Sequence, residues 1–134
     1  MGDLSDAQWL AAVGTGRPPG RFGHREHLRL AWLALEHEPS TSAAQDRVSD
    51  AIRTIATEQG VPQRYNQTVT DAWVQVVAHC RSASQGQSFD DLLGAHPWLL
   101  DKRLLLRHYT SRTLASEQAR RAWVAPDLAP FPAA

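Results

Sequence analysis

Between His24 and Glu38 the apolar side chains fall at helical spacing. At about 100° per residue, Leu28, Ala31, Trp32 and Leu35 share one face, while Arg25, Arg29 and Glu36 share the other. Leu30 and Leu33 make the remaining surface apolar as well, so this second helix is expected at the centre of the fold. Pro39 stops it. A third helix starts at Ser42 with Gln45, carries Val48, Ala51, Ile52, Ile55 and Ala56 at the same period, and ends at Gly60, with Pro62 reinforcing the break. A fourth, from Tyr65 to Arg81, lines up Val69, Trp73, Val76, Val77 and Cys80.

Shorter elements flank these. Ser5-Asp6-Ala7-Gln8 is a capping-box pattern opening a first helix to Val13, and Gly14 to Gly23 reads as a loop. Ser82 to Ser88 is an internal loop, and Ser88-Phe89-Asp90-Asp91 begins a short fifth helix. Pro97 suits the first position of a sixth helix running to Tyr109, with Trp98, Leu99, Leu100, Leu104, Leu105 and Leu106 apolar almost all round. A last helix covers Thr113 to Trp123, and the proline-containing tail from Val124 to Ala134 is extended, with Leu128 and Phe131 packing back. No stretch alternates as a strand does. The pattern predicts an all-α fold: a compact antiparallel helical bundle with additional short helices and an extended C-terminal tail. It forms a single domain over residues 1–134, divided into 1–23 (first helix and loop), 24–123 (helical core) and 124–134 (tail).

Composition narrows the class. Hydrophobic residues make up 43% and charged residues 21% of the 134, a globular balance. Fourteen basic residues offset fourteen acidic ones, which argues against a nucleic-acid binder. Cys80 is the lone cysteine, so no internal disulfide or Cys-rich zinc site is available. No basic, apolar leader opens the chain and no apolar run approaches about 18 residues, so a cytoplasmic protein without a membrane span is expected. There is no GxGxxG, P-loop, HExxH or GxSxG motif, and no cofactor is expected.

Polar residues on core-facing lines supply the candidate chemistry. His24 projects onto the Leu28–Trp32 face, and His27 lies on its flank. Asn66 and Thr70 fall on the core line of the fourth helix beside Tyr65, and Arg107, with Arg103 near it, aligns with Leu100 and Leu104 in the sixth. Short connections make successive helices antiparallel, so the second and fourth helices should begin at one pole. A sixth helix running the other way would bring Arg107, His108 and Tyr109 there too.

Histidine titrates near neutral pH, so His24 and His27 suit a general acid/base pair, with Tyr65 assisting. Asn66 is either a substrate-binding group or the N-cap of its helix, and Thr70 either a substrate group or a bond to the preceding turn. Arg103, Arg107, His108 and Tyr109 complete the expected substrate-binding set, the arginines for an anion or a structural carboxylate. The two histidines are alternatively metal ligands, a reading that needs a third such as His108 or Asp101.

Phe22-Gly23-His24-Arg25-Glu26-His27, Arg64-Tyr65-Asn66-Gln67-Thr68-Val69-Thr70 and His96-Pro97-Trp98-Leu99-Leu100-Asp101, with the stretch from Tyr109 through Arg120, resemble a family of small, largely uncharacterised bacterial all-helical proteins. The resemblance spans Phe22 to Asp127. It implies His-Glu in relatives where this chain has Asn66-Gln67, and hence a weakened shared metal or acid/base site here, or a specialised activity. It also implies a setting in bacterial secondary metabolism, where cofactor-free cyclisations and eliminations occur; an aziridine-forming synthase of the azinomycin type exemplifies that chemistry.

The expected function is a cofactor-independent enzyme catalysing acid/base-assisted cyclisation, intramolecular substitution or elimination on a small, polar or anionic molecule, with an anionic leaving group such as sulfate or phosphate. The alternatives are a non-catalytic accessory subunit of a larger enzyme and a metal-dependent helical protein.

Overall fold

The computed structural model describes residues 4–83 and 86–132. Parts of three expectations lie outside them: Met1 to Asp3 of the leader reading, Ser84 and Gln85 of the internal loop, and Ala133 and Ala134 of the tail. The fold is all-α, with no strand among the described residues.

In chain order the helices are α1 (Asp6–Gly14), α2 (His24–His37), α3 (Thr41–Glu58), α4 (Gln67–Ala83), α5 (Phe89–Ala95), α6 (Ser111–Leu114) and α7 (Glu117–Arg121). Three 3-10 segments, Pro62–Arg64, Pro97–Leu100 and Lys102–Arg107, join them. Helices α2, α3 and α4 pack on one another and hold most of the core. As expected of a central helix, α2 buries residues on all sides: Leu28, Leu30, Ala31, Leu33 and Ala34 have almost no exposure. Trp32 departs from its expected place on the core face. It sits half-buried at the edge, tilted against Phe89 with ring centroids 6.1 Å apart.

Side-chain pairs fix the helix directions. Along α3, Gln45 reaches the Asp71 carbonyl, Ser49 meets Gln67, and Arg53 meets Gln67 and the Tyr65 ring. Rising numbers on α3 therefore meet falling numbers on and before α4, so the two are antiparallel. At one end of α2 His24 touches Trp73, and at the other Glu36 pairs with Arg81 at 2.9 Å, so α2 and α4 run the same way.

Local chemistry sets the ends that matter for the site. Gly23 caps α2 through its backbone: its N–H donates to Glu26 Oε1 at 2.8 Å. At the end of α3, the Val61 N–H donates to the Ala56 carbonyl and the Gly60 N–H to the Thr57 carbonyl, a Schellman closure. Gly60 takes φ +73°, a left-handed value that only glycine adopts without strain. Asn66 caps α4, its Oδ1 accepting from the Val69 N–H at 3.0 Å.

Two expected helices do not form. The sixth is replaced by two 3-10 turns, because Asp101 takes extended angles and its carboxylate accepts from the Arg103 N–H at 3.0 Å. That side-chain bond offers the backbone an alternative to helix continuation and redirects the chain. The last helix splits into α6 and α7 at Ser116, whose hydroxyl accepts from the Ala119 N–H and caps α7.

The tail folds back, as expected, though through Phe131 and not Leu128. The Phe131 ring lies 4.3 Å from that of His108 and 5.9 Å from that of Tyr109, whereas Leu128 is 57% exposed. No described helix is long and apolar enough to cross a membrane.

Candidate functional site

A cavity of about 700 Å³ lies where α2 and α4 begin and α3 ends. Its wall is mostly apolar: Ile52 and Ile55 from α3, Val69 and Trp73 from α4, Leu105 from the 3-10 cover and Leu114 from α6. His24, His27 and Tyr65 line it together, the convergence expected of them. Gln59, Val61, Arg64, Lys102 and Arg103 complete the polar and loop contributions that matter here.

His24 opens α2 and is half-buried. Its Nε2 lies 2.8 Å from the Leu99 carbonyl, an atom that can only accept. In the neutral ring the proton is thus assigned to Nε2, leaving the basic lone pair on Nδ1. The ring stands edge-on to Trp73 with centroids 4.5 Å apart. Burial lowers its pKa below the ordinary histidine value, opposed by the Leu99 hydrogen bond.

One turn on, His27 holds Nε2 out of contact with solvent and without any hydrogen-bond partner. Burial, with a smaller push from His24, lowers its pKa to about 4. Both imidazoles are therefore neutral in the free protein at neutral pH.

The ring of Tyr65 forms cavity wall, but its hydroxyl is committed. It donates to Gln67 Oε1 at 2.7 Å, and Gln67 Nε2 donates in turn to Ser49 Oγ and Asp71 Oδ2, each at 2.9 Å. Arg53 donates to the same Gln67 oxygen and lies 5.1 Å from the centre of the Tyr65 ring. Burial raises the Tyr65 pKa, so the phenol is neutral. Gln67, absent from the expected set, is the hub that sets the orientation of Tyr65; its place two residues after Tyr65 in the Arg64–Thr70 motif was the available signal.

Asn66 and Thr70 stand behind the wall. Asn66 uses both ends of its amide, capping α4 and donating to the Leu114 carbonyl at 2.7 Å, so its structural reading is the one realised. Thr70 is buried beside the Tyr65 hydroxyl.

Arg107, His108 and Tyr109 do not join the cavity, because the helix expected to carry them is broken at Asp101. Arg107 is exposed on a separate shallow groove with Trp98 and Leu104. His108 Nδ1 donates to the Ala129 carbonyl at 2.9 Å, and the Tyr109 hydroxyl donates to the Val124 carbonyl at 2.6 Å. These two side chains hold the tail. Tyr109 is fully buried and its pKa is pushed up to about 12.

The same break brings Lys102 and Arg103 to the cavity. Arg103 is held by Asp101 through two contacts of 3.1 and 3.2 Å, the structural pairing anticipated for it. Lys102, the lone lysine of the chain, and Arg64 were not in the expected set, although Lys102 follows the His96–Asp101 motif directly and Arg64 opens the Arg64–Thr70 one. Among the described residues no three His, Cys, Asp or Glu side chains are grouped as a metal site would require, so neither His108 nor Asp101 serves as a third donor beside His24 and His27.

Compared with family models, curated proteins and solved structures, the chain matches none, and the roles assigned to its residues below rest on their own geometry.

Proposed function

We propose that this protein is a cofactor-independent enzyme acting by general acid/base catalysis on a small, polar or anionic molecule held in the cavity. The observation that carries this reading is the pair of imidazoles on one turn of α2, His24 half-buried and His27 with Nε2 out of contact with solvent, both lining a single, mostly apolar cavity. A neutral histidine whose other nitrogen is fixed by a backbone carbonyl is the arrangement a general base requires, since the bond sets both tautomer and ring angle.

The reaction that suits this equipment is an intramolecular substitution or elimination. His24 Nδ1 removes a proton from a substrate N–H, O–H or C–H. The electron pair released forms the new ring bond or double bond. The bond to an anionic leaving group such as sulfate or phosphate breaks, and that group departs with its electron pair. The apolar wall offers few competing dipoles, which strengthens the electrostatic effect of fixed groups on the developing charge. His27 contacts the substrate's polar group, and Gln67 positions the Tyr65 wall. A bacterial setting in secondary metabolism belongs to this proposal and is supported by the motif resemblance alone, and a cytoplasmic one by the lone Cys80, which suits a reducing compartment.

The test is mass spectrometry of a bacterial metabolite pool after incubation with wild-type protein, chelator-treated wild type, and His24→Ala. A species converted to a product lacking the elements of an acid is expected with both wild-type samples and not with the variant. Conversion that survives His24→Ala unchanged, or no conversion at all, overturns the proposal. Conversion lost on chelator treatment points to metal-dependent chemistry instead.

A second reading, an accessory subunit, draws on the exposed Trp98, Leu100 and Leu106, which are 42%, 48% and 45% accessible on the 3-10 segments. A monodisperse monomer that shows the conversion unaided would dismiss it.

A further inference from the structure

The charged side chains that line the cavity are Arg64, Lys102 and Arg103, with no Asp or Glu among the lining residues. Arg103 is already neutralised by Asp101, whereas Arg64 and Lys102 have no salt-bridge partner among the described residues. The N-termini of α2 and α4 both open here, adding the positive ends of two helix dipoles. Below them His27 Nε2 is sealed from solvent and unpaired, which is costly unless something enters to meet it.

We propose that the cavity takes an amphiphilic anion: an apolar body against Trp73, Val69 and Leu105, an anionic group at Lys102 and Arg64, and a polar atom bonded to His27 Nε2, with a proton taken up on binding. This narrows the substrate class of the function proposed above and shares its site, but it is a statement about binding and needs no turnover.

The proton uptake follows from what surrounds the two imidazoles. On α2 they lie one turn apart, close enough for His24 to act electrostatically on His27. The turn before α4 contributes Arg64 and the neutral Tyr65; the 3-10 cover contributes Lys102, Arg103 and Asp101. From α3 the wall presents Ile52, Ile55, Ala56 and Gln59, and from α4 Val69 and Trp73, so neither helix places a charge in the lining. Burial holds both rings neutral, aided at His24 by Lys102 and at His27 by His24; the Leu99 hydrogen bond and, more weakly, the Asp101 carboxylate act against it at His24. An entering anion opposes that balance and favours the imidazolium at His27, whose Nε2 it meets, while His24 Nδ1 stays free to act as the base.

Isothermal titration near pH 6 with benzenesulfonate, whose charge is constant there, tests this. Benzyl alcohol and benzylamine serve as neutral and cationic analogues, and buffers of unlike ionisation enthalpy report the proton. The sulfonate is expected to bind about tenfold or more tighter than either analogue. Fractional proton uptake should accompany it. Lys102→Glu and Arg64→Glu, both at exposed positions, should each weaken sulfonate binding by a similar factor while leaving benzyl alcohol unaffected. His27→Leu should weaken it and reduce the uptake; His27→Gln, which restores a polar atom, should recover affinity without recovering the uptake.

Equal binding of all three probes, sulfonate binding indifferent to both charge reversals, or binding without proton exchange would each overturn the inference. A protein that binds the sulfonate as described yet converts no metabolite would keep this inference and lose the enzymatic one; turnover of a neutral substrate with no sulfonate binding would do the reverse.

Discussion

His27 is the residue where folding and function pull apart. A buried, unpaired ring nitrogen costs stability, about 1–3 kcal/mol by comparison with other unsatisfied polar groups. His27→Leu, similar in bulk and without the orphan atom, is therefore expected to raise stability by that amount at neutral pH, read as a higher denaturant midpoint at unchanged slope. The pH dependence has a definite sign. With a folded-state pKa of about 4 against an ordinary 6.5, the unfolded chain holds a proton that the folded chain does not throughout that window. Stability is thus fully present above pH 6.5 and lost as pH falls toward 4, by roughly 3 kcal/mol. His24, shifted in the same direction, adds to the loss. The leucine variant should flatten most of this slope. An unaltered acid profile in His27→Leu would show that the ring is not held neutral by its site.

Among the elements, the long helices were legible, as were the two short ones opened by capping boxes, α1 and α5, whereas the segments after Pro97 were not, for a physical reason. In α2, α3 and α4 the apolar period continues for several turns, and each terminus carries its own signal: Glu26 reaching back to Gly23, Gly60 beyond α3, Asn66 before α4. From Pro97 to Tyr109 the sequence is apolar in every direction, so periodicity cannot separate a helix from a collapsed turn. The deciding event there is one carboxylate, Asp101, capturing one N–H. The cavity lining follows that division: His24, His27 and Tyr65, tied to long helices or their caps, lie together in it as expected, while Lys102 stands there and Arg107 does not, because the carrier element was misjudged. The caps also offer a test. Asn66→Ala removes the α4 cap and the bond to Leu114 and should cost about 1–2 kcal/mol. Gly60→Ala forces φ +73° on a residue with a side chain and should cost about 1 kcal/mol. Gln59 and Val61 flank that turn and line the cavity, so Gly60→Ala is also expected to weaken sulfonate binding. Stability and affinity unchanged within error in both variants would mean that the caps do not hold the cavity wall.

Over the whole molecule, the 3-10 cover of the cavity is held by a chain of ties that begins far from it. Thr68 Oγ1, at the first turn of α4, donates to the Ala122 carbonyl and accepts from the Val124 N–H, fastening the tail to the core. Tyr109, His108 and Phe131 hold that tail against the 3-10 cover, and Arg120 of α7 donates to the Gln63 carbonyl beside Arg64. The cover carrying Lys102 is thus braced from both sides, which a short 3-10 turn could not achieve alone. Inside this frame the His24 ring meets Trp73 edge-on at 4.5 Å. An imidazolium at that distance is an efficient quencher of indole emission, so the protein carries an optical gauge of its own charge state. In a Trp98→Phe background, which removes the second edge-on contact between a histidine and a tryptophan, His96 with Trp98, emission should fall with acid at a midpoint below pH 6.5, and the change should vanish on adding His24→Gln or Trp73→Phe. Benzenesulfonate should displace the midpoint upward. A site whose chemistry has no chromophore can in this way be followed in real time, without label, coupled assay or knowledge of the natural substrate.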